Sequence, residues 1–192
     1  LKCRNVFAVA FPQGLRIGDD VPGVATDSRN RVYIFNRSPN PVAVFESDGR
    51  FVGSWDKKDI PRRPHSITIT PEDIIWVTDD VNQTARKFTL DGRLLQILGT
   101  PDQPSDTGYI PNPSLSLESI KRGAGPFNRP TKVAQAPNGE LYITDGYGNA
   151  RVHRFTAAGE LIQSWGQPGD GPGQFNLPHA VAISSDGRVY VC

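Results

Sequence analysis

The sequence has no methionine, only two cysteines and almost no net charge. Lysine and arginine total 21 against 20 for aspartate and glutamate, a formal net charge of +1. This balance gives no electrostatic attraction towards nucleic acid or an anionic membrane surface, so we expect neither partner. No apolar run approaches the ~20 residues of a transmembrane helix. Cys3 and Cys192 lie at opposite ends without motif spacing, which leaves their pairing and the compartment open.

Glycine and proline are abundant, at 19 and 17 residues, and a repeated strand pattern takes the place of helical periodicity. Four apolar anchors are each followed, eight residues later, by an apolar residue that opens a short strand: Val24, Ile67, Val133 and Val181. Turn-forming residues separate the two strands of each pair. A second hairpin follows in three of the four units. Four short strands per unit are typical of a blade of a β-propeller.

We therefore predict an all-β fold, a single propeller domain over residues 1–192 whose blades resemble the NHL type. The repeats lie near 21–56, 64–99, 130–166 and 178–192, about three and a half to four blades, and a long proline-rich insert occupies 100–125. The last unit stops in its second strand. Because an unclosed propeller exposes sheet edges, we expect the chain to be part of a longer protein or to associate with another copy.

Two of the three histidines lie at the same point of the repeat. His65 and His179 each precede an anchor by two residues, and a closed ring would direct both imidazoles towards one axis. Histidine is the commonest protein ligand for metals, and a catalytic zinc ion takes three protein ligands. The alternative is that each histidine is a strand-entry residue bonded to a loop. His153, on an outer hairpin, is expected at the surface.

Three stretches resemble the peptidyl-α-hydroxyglycine α-amidating lyase family: Phe127–Thr131, Gly139–Val152 and Gly173–His179. The Asp-Gly-Tyr-x-Asn-x-Arg string that begins at Asp145 is the most specific of these motifs. The resemblance implies a six-bladed propeller with zinc and a structural calcium ion. It also implies a secreted or extracellular location. The family cleaves a peptidyl-α-hydroxyglycine to a peptide amide and glyoxylate.

Matched to this family, His65 and His179 correspond to two of the three zinc ligands, and the third falls beyond Cys192. Tyr147 corresponds to the active-site tyrosine, a base for the substrate hydroxyl. A phenol has an ordinary pKa of about 10, so this role needs a nearby cation that stabilises the phenolate. Arg37 corresponds to an arginine near the substrate, where a guanidinium would pair with the glycine carboxylate.

The resemblance also implies a calcium site, and the chain departs from the family in places. Calcium would bind the backbone carbonyls of Val24 and Ile67 and a carboxylate beyond the end of this chain. Animal members have a disulfide between the positions of Asn128 and Gly148, and both of its cysteines are absent here. Asn36 replaces a family histidine. We expect the long insert to reshape the pocket, as in a microbial-type relative.

These observations favour a zinc-dependent lyase that acts on a small-molecule or peptide substrate with an α-hydroxyglycine-like end. One alternative is a non-catalytic NHL propeller that binds a protein partner through its rim loops. Another is a metal-dependent propeller hydrolase such as a lactonase. The carboxylates for that chemistry would be Asp79, Asp80 and Asp145, which fit turn positions at least as well.

Overall fold

The computed structural model describes residues 12, 13, 15, 17–18, 20–55, 60, 63–112 and 117–192. In this part of the chain the regular structure is all strand, and no helix is long and apolar enough to cross a membrane. Three four-stranded antiparallel sheets follow one another. The first sheet contains β1 (Gly23–Thr26), β2 (Val32–Phe35), β3 (Val42–Phe45) and β4 (Phe51–Ser54). The second contains β5 (Pro64–Ile69), β6 (Ile75–Asp79), β7 (Thr84–Phe88) and β8 (Leu94–Leu98).

The third sheet is followed by two shorter strand pairs. This sheet contains β9 (Pro130–Gln135), β10 (Leu141–Asp145), β11 (Arg151–Phe155) and β12 (Leu161–Trp165). The short parallel pair is β13 (Gln167–Pro168) with β14 (Gln174–Phe175), and the antiparallel pair is β15 (Val181–Ile183) with β16 (Val189–Val191). Cys3 lies outside the described residues, so its pairing with Cys192 stays a prediction.

The sheets are the blades of a partial β-propeller. Strands pair in sequence order within each four-stranded sheet, and the first strands of successive units, β1, β5, β9 and β15, lie side by side. This radial repetition of small antiparallel sheets defines the propeller architecture. The all-β propeller predicted from the repeated anchors is therefore confirmed.

Glycine residues form the turns of the outer hairpins. Gly49 and Gly92 have φ angles of 89° and 88°, in the left-handed region that only glycine enters without steric cost. In the first sheet the Gly49 N–H donates to the Glu46 carbonyl at 2.9 Å, and the Glu46 N–H donates to the Arg50 carbonyl at 2.8 Å. The β3–β4 ladder shifts register beside this turn. A bulge next to a left-handed glycine is the geometry of short hairpin loops.

The hydrophobic core lies between neighbouring sheets. Trp55, which follows β4, packs against Phe88 of β7 with 5.4 Å between ring centroids. A second cluster joins Trp76 of the second sheet to Phe127 and Val133 of the third. Burial of a large apolar side chain contributes about 1.5–3 kcal/mol. These clusters therefore fix each blade against the next and hold the first strands side by side.

The expectation that His153 lies at the surface is wrong. Its side chain is completely buried, with Nδ1 2.7 Å from Ser164 Oγ and Nε2 3.2 Å from Asp145 Oδ2. Its ring meets the edge of Phe127 at 5.5 Å between centroids. β11 lies between β10 and β12, so one of its faces packs against the preceding blade although charged residues flank the histidine.

Candidate functional site

His65, His179 and Tyr147 meet at one point. His65 is the second residue of β5, Tyr147 follows β10, and His179 precedes β15, so three units of the propeller contribute. The ring centroids are 4.9 Å apart for the two histidines, 5.1 Å for His65 and Tyr147, and 5.4 Å for Tyr147 and His179. The fold thus brings together three residues from separate units, of which His65 and Tyr147 are 82 positions apart and Tyr147 and His179 are 32 positions apart.

The hydroxyl group of Tyr147 lies between the two imidazoles. It is 3.2 Å from His65 Nε2 and 2.9 Å from His179 Nε2. The Nδ1 atom of His65 donates to the Thr131 carbonyl at 2.8 Å, which leaves its Nε2 with a lone pair. A phenol has one proton, so if Tyr147 donates to His65, the Nε2–H of His179 donates to the phenol oxygen. The three side chains form a short hydrogen-bonded chain.

Thr131 positions both histidine segments, and it occupies the repeat position at which two of the other three units have histidine. Its carbonyl accepts hydrogen bonds from His65 Nδ1 and from Thr78 Oγ1, the second at 2.9 Å. Its hydroxyl donates to the Pro178 carbonyl at 3.0 Å. One buried residue of the third blade is therefore bonded to the residues at both strand entries, a role that the repeat pattern does not indicate.

The two imidazoles differ in environment. His65 is buried and His179 is exposed. Burial lowers the pKa of His65, and the hydrogen bond to the Thr131 carbonyl opposes this effect only in part. A neutral imidazole is the form that binds a metal ion. His65 is therefore held in the state that a ligand needs.

The donor set fits zinc in its chemistry. Two Nε2 atoms face the same phenol oxygen, and a carbonyl fixes the tautomer of His65, as is usual for ligands of zinc. Within the described ranges, no group of three or more His, Cys, Asp or Glu side chains is arranged to hold a metal ion. The described part of the chain thus supplies two of the expected ligands, His65 and His179.

The Asp-Gly-Tyr-x-Asn motif builds the loop that carries Tyr147. The buried Asp145 carboxylate accepts the Asn128 N–H at 2.9 and 3.0 Å and the side-chain amide of Asn149 at 2.8 Å. A Cβ atom on Gly146 would lie 2.2 Å from the Pro178 carbonyl oxygen, so only glycine allows this approach. The aspartate and asparagine therefore hold the loop, and the glycine lets it reach the His179 segment.

Hydrogen bonds connect Asn128 and Gly148, the two positions at which the family resemblance implies a disulfide in animal members. The Gly148 N–H donates to the Asn128 carbonyl at 3.1 Å. The Asn128 side chain donates to the Ser105 carbonyl at 2.9 Å and to Thr107 Oγ1 at 3.1 Å, and the Thr107 hydroxyl donates to the Gly148 carbonyl at 2.6 Å. Two of these four residues, Ser105 and Thr107, belong to the long insert, which thus helps to hold the Tyr147 loop.

Arg129 places a cation beside Tyr147. Its guanidinium carbon lies 5.5 Å from the centroid of the Tyr147 ring and 5.6 Å from that of Tyr109. Its Nη2 donates to Asp80 at 2.9 Å. The backbone of Arg129 is left-handed, with φ 66°, and its N–H donates to Gln83 Oε1 at 2.7 Å. No pattern in the sequence predicts this role of Arg129, because only the packing of three loops brings it to the tyrosine.

Arg37 lies next to the site but already holds a carboxylate. Its Nε donates to the Pro64 carbonyl at 3.0 Å, one residue before His65, and its Nη1 forms an ion pair with Asp20. Asp20 is more than half exposed. The expected role of Arg37 towards a substrate carboxylate stays a prediction, and it requires Asp20 to be displaced.

The carbonyl expected to bind calcium has another partner. The ammonium group of Lys132 donates to the Ile67 carbonyl at 2.9 Å. Burial lowers the pKa of Lys132. Val24, the second expected calcium residue, is 62% exposed. A calcium ion at Ile67 would have to displace a cation of the chain itself, so the described residues do not fit this ion.

Comparison with known proteins identifies NHL-type sequence. A family model described as NHL repeat matches residues 127–155. Human NHL repeat-containing protein 3 is 32% identical over 178 residues, which cover 88% of this chain and 47% of that protein. Peptidyl-alpha-hydroxyglycine alpha-amidating lyase 1 of Drosophila melanogaster is 32% identical over 147 residues, 73% of this chain and 24% of that protein. The chain therefore spans about half the length, or less, of these curated relatives.

Solved structures support the same fold. A streptogramin B lyase structure superimposes with a TM-score of 0.60 at 15% sequence identity, over 89% of this chain and 47% of that one. At such low identity the likeness concerns the architecture alone.

We expect the missing disulfide to form when its two positions are changed to cysteine. A Cβ atom on Gly148 would lie 2.7 Å from Asn128 Cγ, so the two Cβ atoms come near the separation of a disulfide, about 3.8 Å. Asn128→Cys combined with Gly148→Cys should form the bond on oxidation, and the oxidised double variant should have a free energy of unfolding about 3 kcal/mol higher than the reduced double variant. Thiol titration and urea unfolding measure this. Each single variant is the control. A double variant that, after oxidation, still has two free thiols more than the wild-type protein, which carries Cys3 and Cys192, would contradict the geometry.

Proposed function

We propose that this chain, an NHL-repeat β-propeller, contributes the site of a zinc-dependent lyase that cleaves a peptidyl-α-hydroxyglycine or related carbinolamide to an amide and glyoxylate. The observation that carries the proposal is the meeting of His65, His179 and Tyr147, with the phenol oxygen within 3.2 Å of both Nε2 atoms. The 32% identity to a Drosophila lyase of this class supports the same reading.

The two imidazoles would hold zinc through their Nε2 atoms. When bound, zinc would supply a Lewis acid for the substrate hydroxyl oxygen and stabilise negative charge there. The Nδ1 bond of His65 to Thr131 orients that ring before any ligand arrives. Because His179 is exposed and His65 is buried, the substrate would approach from the His179 side.

Tyr147 would move the proton. The reaction breaks the bond between the amide nitrogen and the hydroxylated carbon and forms the carbonyl of glyoxylate. The hydroxyl proton leaves oxygen, the amide nitrogen gains one, and no water is consumed. The phenol would take the proton as a general base and return it to nitrogen, a contribution of about 10²- to 10⁴-fold in typical enzymes. The guanidinium of Arg129 would stabilise negative charge on the phenol oxygen.

Arg37 would bind the carboxylate of the substrate. Its guanidinium already pairs with the exposed carboxylate of Asp20, which supports this role. A substrate carboxylate would take the place of Asp20 in a charge-assisted pair.

A non-catalytic binding propeller is the second candidate. The 32% identity to human NHL repeat-containing protein 3 over 88% of this chain favours it. A lactonase-type hydrolase has less support. Asp79 accepts the N–H groups of Val81 and Asn82 at 2.7 and 2.8 Å, and both Asp79 and Asp145 are buried and bonded to the chain itself.

Zinc content separates the lyase from the binding propeller. We expect zinc to bind the protein purified without chelators, and His65→Ala or His179→Ala to lower its affinity more than ~100-fold, since even supporting partners of zinc ligands contribute 10- to 100-fold. Elemental analysis and competition with a chromogenic chelator measure this, and a glyoxylate assay on an α-hydroxyglycine substrate follows. Glu160→Gln, at an exposed glutamate, is the control and should keep the metal. Zinc binding unaffected by either alanine variant would refute the proposed ligands.

Replacement of Tyr147 by phenylalanine tests the proton transfer. The variant keeps the ring beside Arg129 and removes only the hydroxyl, so kcat for glyoxylate release should fall about 10²- to 10⁴-fold while KM changes little. Tyr190→Phe, at an exposed tyrosine of β16, is the control and should keep the wild-type kcat. A Tyr147→Phe enzyme with unchanged kcat would assign the base to another group.

A further inference from the structure

A pocket of about 600 Å³ lies next to the histidine and tyrosine cluster. Its walls come from the insert, from the turn after β6 and from the segment before β9, and residues that line it include Asp80, Val81, Ser105, Tyr109 and Arg129. The volume is in the range of pockets that bind small molecules. Valine, proline and tyrosine side chains supply apolar surface, so the pocket suits a ring or a branched chain.

Two buried oxygen atoms among the residues that line this pocket have no hydrogen-bond partner in the described part of the chain, Asp80 Oδ1 and Ser105 Oγ. The Asp80 side chain is completely buried, and its other oxygen receives hydrogen bonds from Arg63 at 2.7 Å and Arg129 at 2.9 Å. A buried acceptor without a donor is costly. Because two arginines already balance the charge of the carboxylate, a neutral O–H or N–H donor suits Asp80 Oδ1 better than a cation.

Arg129 connects the pocket to the proposed reaction site. Its guanidinium lies beside the ring of Tyr109, which lines the pocket, and beside the ring of Tyr147, which contacts both histidines. If the reacting bond of a bound molecule lies at Tyr147, the chemical groups next to that bond would therefore extend into the pocket. The carboxylate end of the substrate would lie at Arg37, so the acyl end is the part left for the pocket.

We propose, on the basis of the proposed lyase function, that this pocket binds the acyl side of the carbinolamide and favours an aromatic group that carries a hydroxyl or N–H donor. The ring contacts Val81 and Tyr109, and the donor satisfies Asp80 Oδ1. The insert thus selects the substrate in addition to holding the Tyr147 loop.

Two product-like amides test the pocket without any catalytic turnover. N-acetyltyrosinamide and N-acetylphenylalaninamide differ only in the phenol hydroxyl, and calorimetric titration measures their affinities. A polar site discriminates strongly against an analogue that lacks the bonded hydroxyl, so the tyrosine amide should bind more than ~10-fold tighter. Val81→Trp fills the pocket and should reduce both affinities more than ~10-fold. Val52→Trp, at an exposed valine of β4, is the matched control.

The results of these titrations distinguish a failure of the pocket proposal from a failure of the lyase proposal. Equal affinities for the two amides, or binding that Val81→Trp leaves unchanged, would overturn the pocket whether or not glyoxylate is released. Binding that depends on Val81 without glyoxylate release from the matching α-hydroxyglycine would overturn the lyase and leave the pocket as an aromatic amide site. If both hold, Val81→Trp should raise KM for the tyrosyl substrate more than for an acetyl substrate that has no ring.

A second inference concerns Lys132, a partly buried residue of β9. Its ammonium group donates to the Ile67 carbonyl of β5 at 2.9 Å, and next to it the Thr68 hydroxyl donates to the Val133 carbonyl at 2.7 Å. These bonds join the first strands of two adjacent blades. We infer that the Lys132 ammonium group takes the place that the family resemblance assigns to a structural calcium ion.

Calcium dependence of stability tests this substitution. With the wild-type protein, neither calcium nor a calcium chelator should shift the unfolding midpoint. Lys132→Met keeps the length of the side chain and removes the charge, so it should lower the midpoint by about 2–4 °C or more. Lys121→Met, at an exposed lysine, is the control. A wild-type midpoint that falls on chelation would show that calcium binds in spite of Lys132 and would overturn the inference.

Discussion

The hydrogen bonds of Thr131 connect the parts of the site. Its carbonyl fixes His65 and its hydroxyl fixes the segment before His179, at 2.8 and 3.0 Å. These contacts require the first strands of neighbouring blades to lie side by side, and the clusters between the sheets hold them there. Because interiors are close-packed, a small shift between blades would separate the two imidazoles. The geometry of the site therefore depends on the packing between blades.

Polar contacts hold the loop that carries Tyr147. Asn128, Thr107 and Gly148 form buried hydrogen bonds at the positions where the family resemblance implies a disulfide in animal members. Each such bond contributes about 1 kcal/mol, so several are needed to match one disulfide. The insert provides some of these hydrogen bonds. A segment of irregular structure therefore helps to position the proposed base.

Arg129 contacts three side chains at once. It balances the buried Asp80 carboxylate and lies beside both tyrosines, Tyr109 and Tyr147. If the two proposals hold, a change in the pocket would reach the proposed reaction site through this one guanidinium group. The insert would then couple the choice of substrate to the proposed proton transfer.

The sequence by itself determined the repeat and therefore the fold, because side-chain alternation and glycine turns are local properties of each unit. It also placed His65 and His179 at equivalent points, and in a ring equivalent points face the same axis. Only the tertiary structure decided which groups from different blades meet. Arg129, the buried His153 and the Lys132 bond to Ile67 depend on distances between blades, and no spacing along the chain encodes those distances.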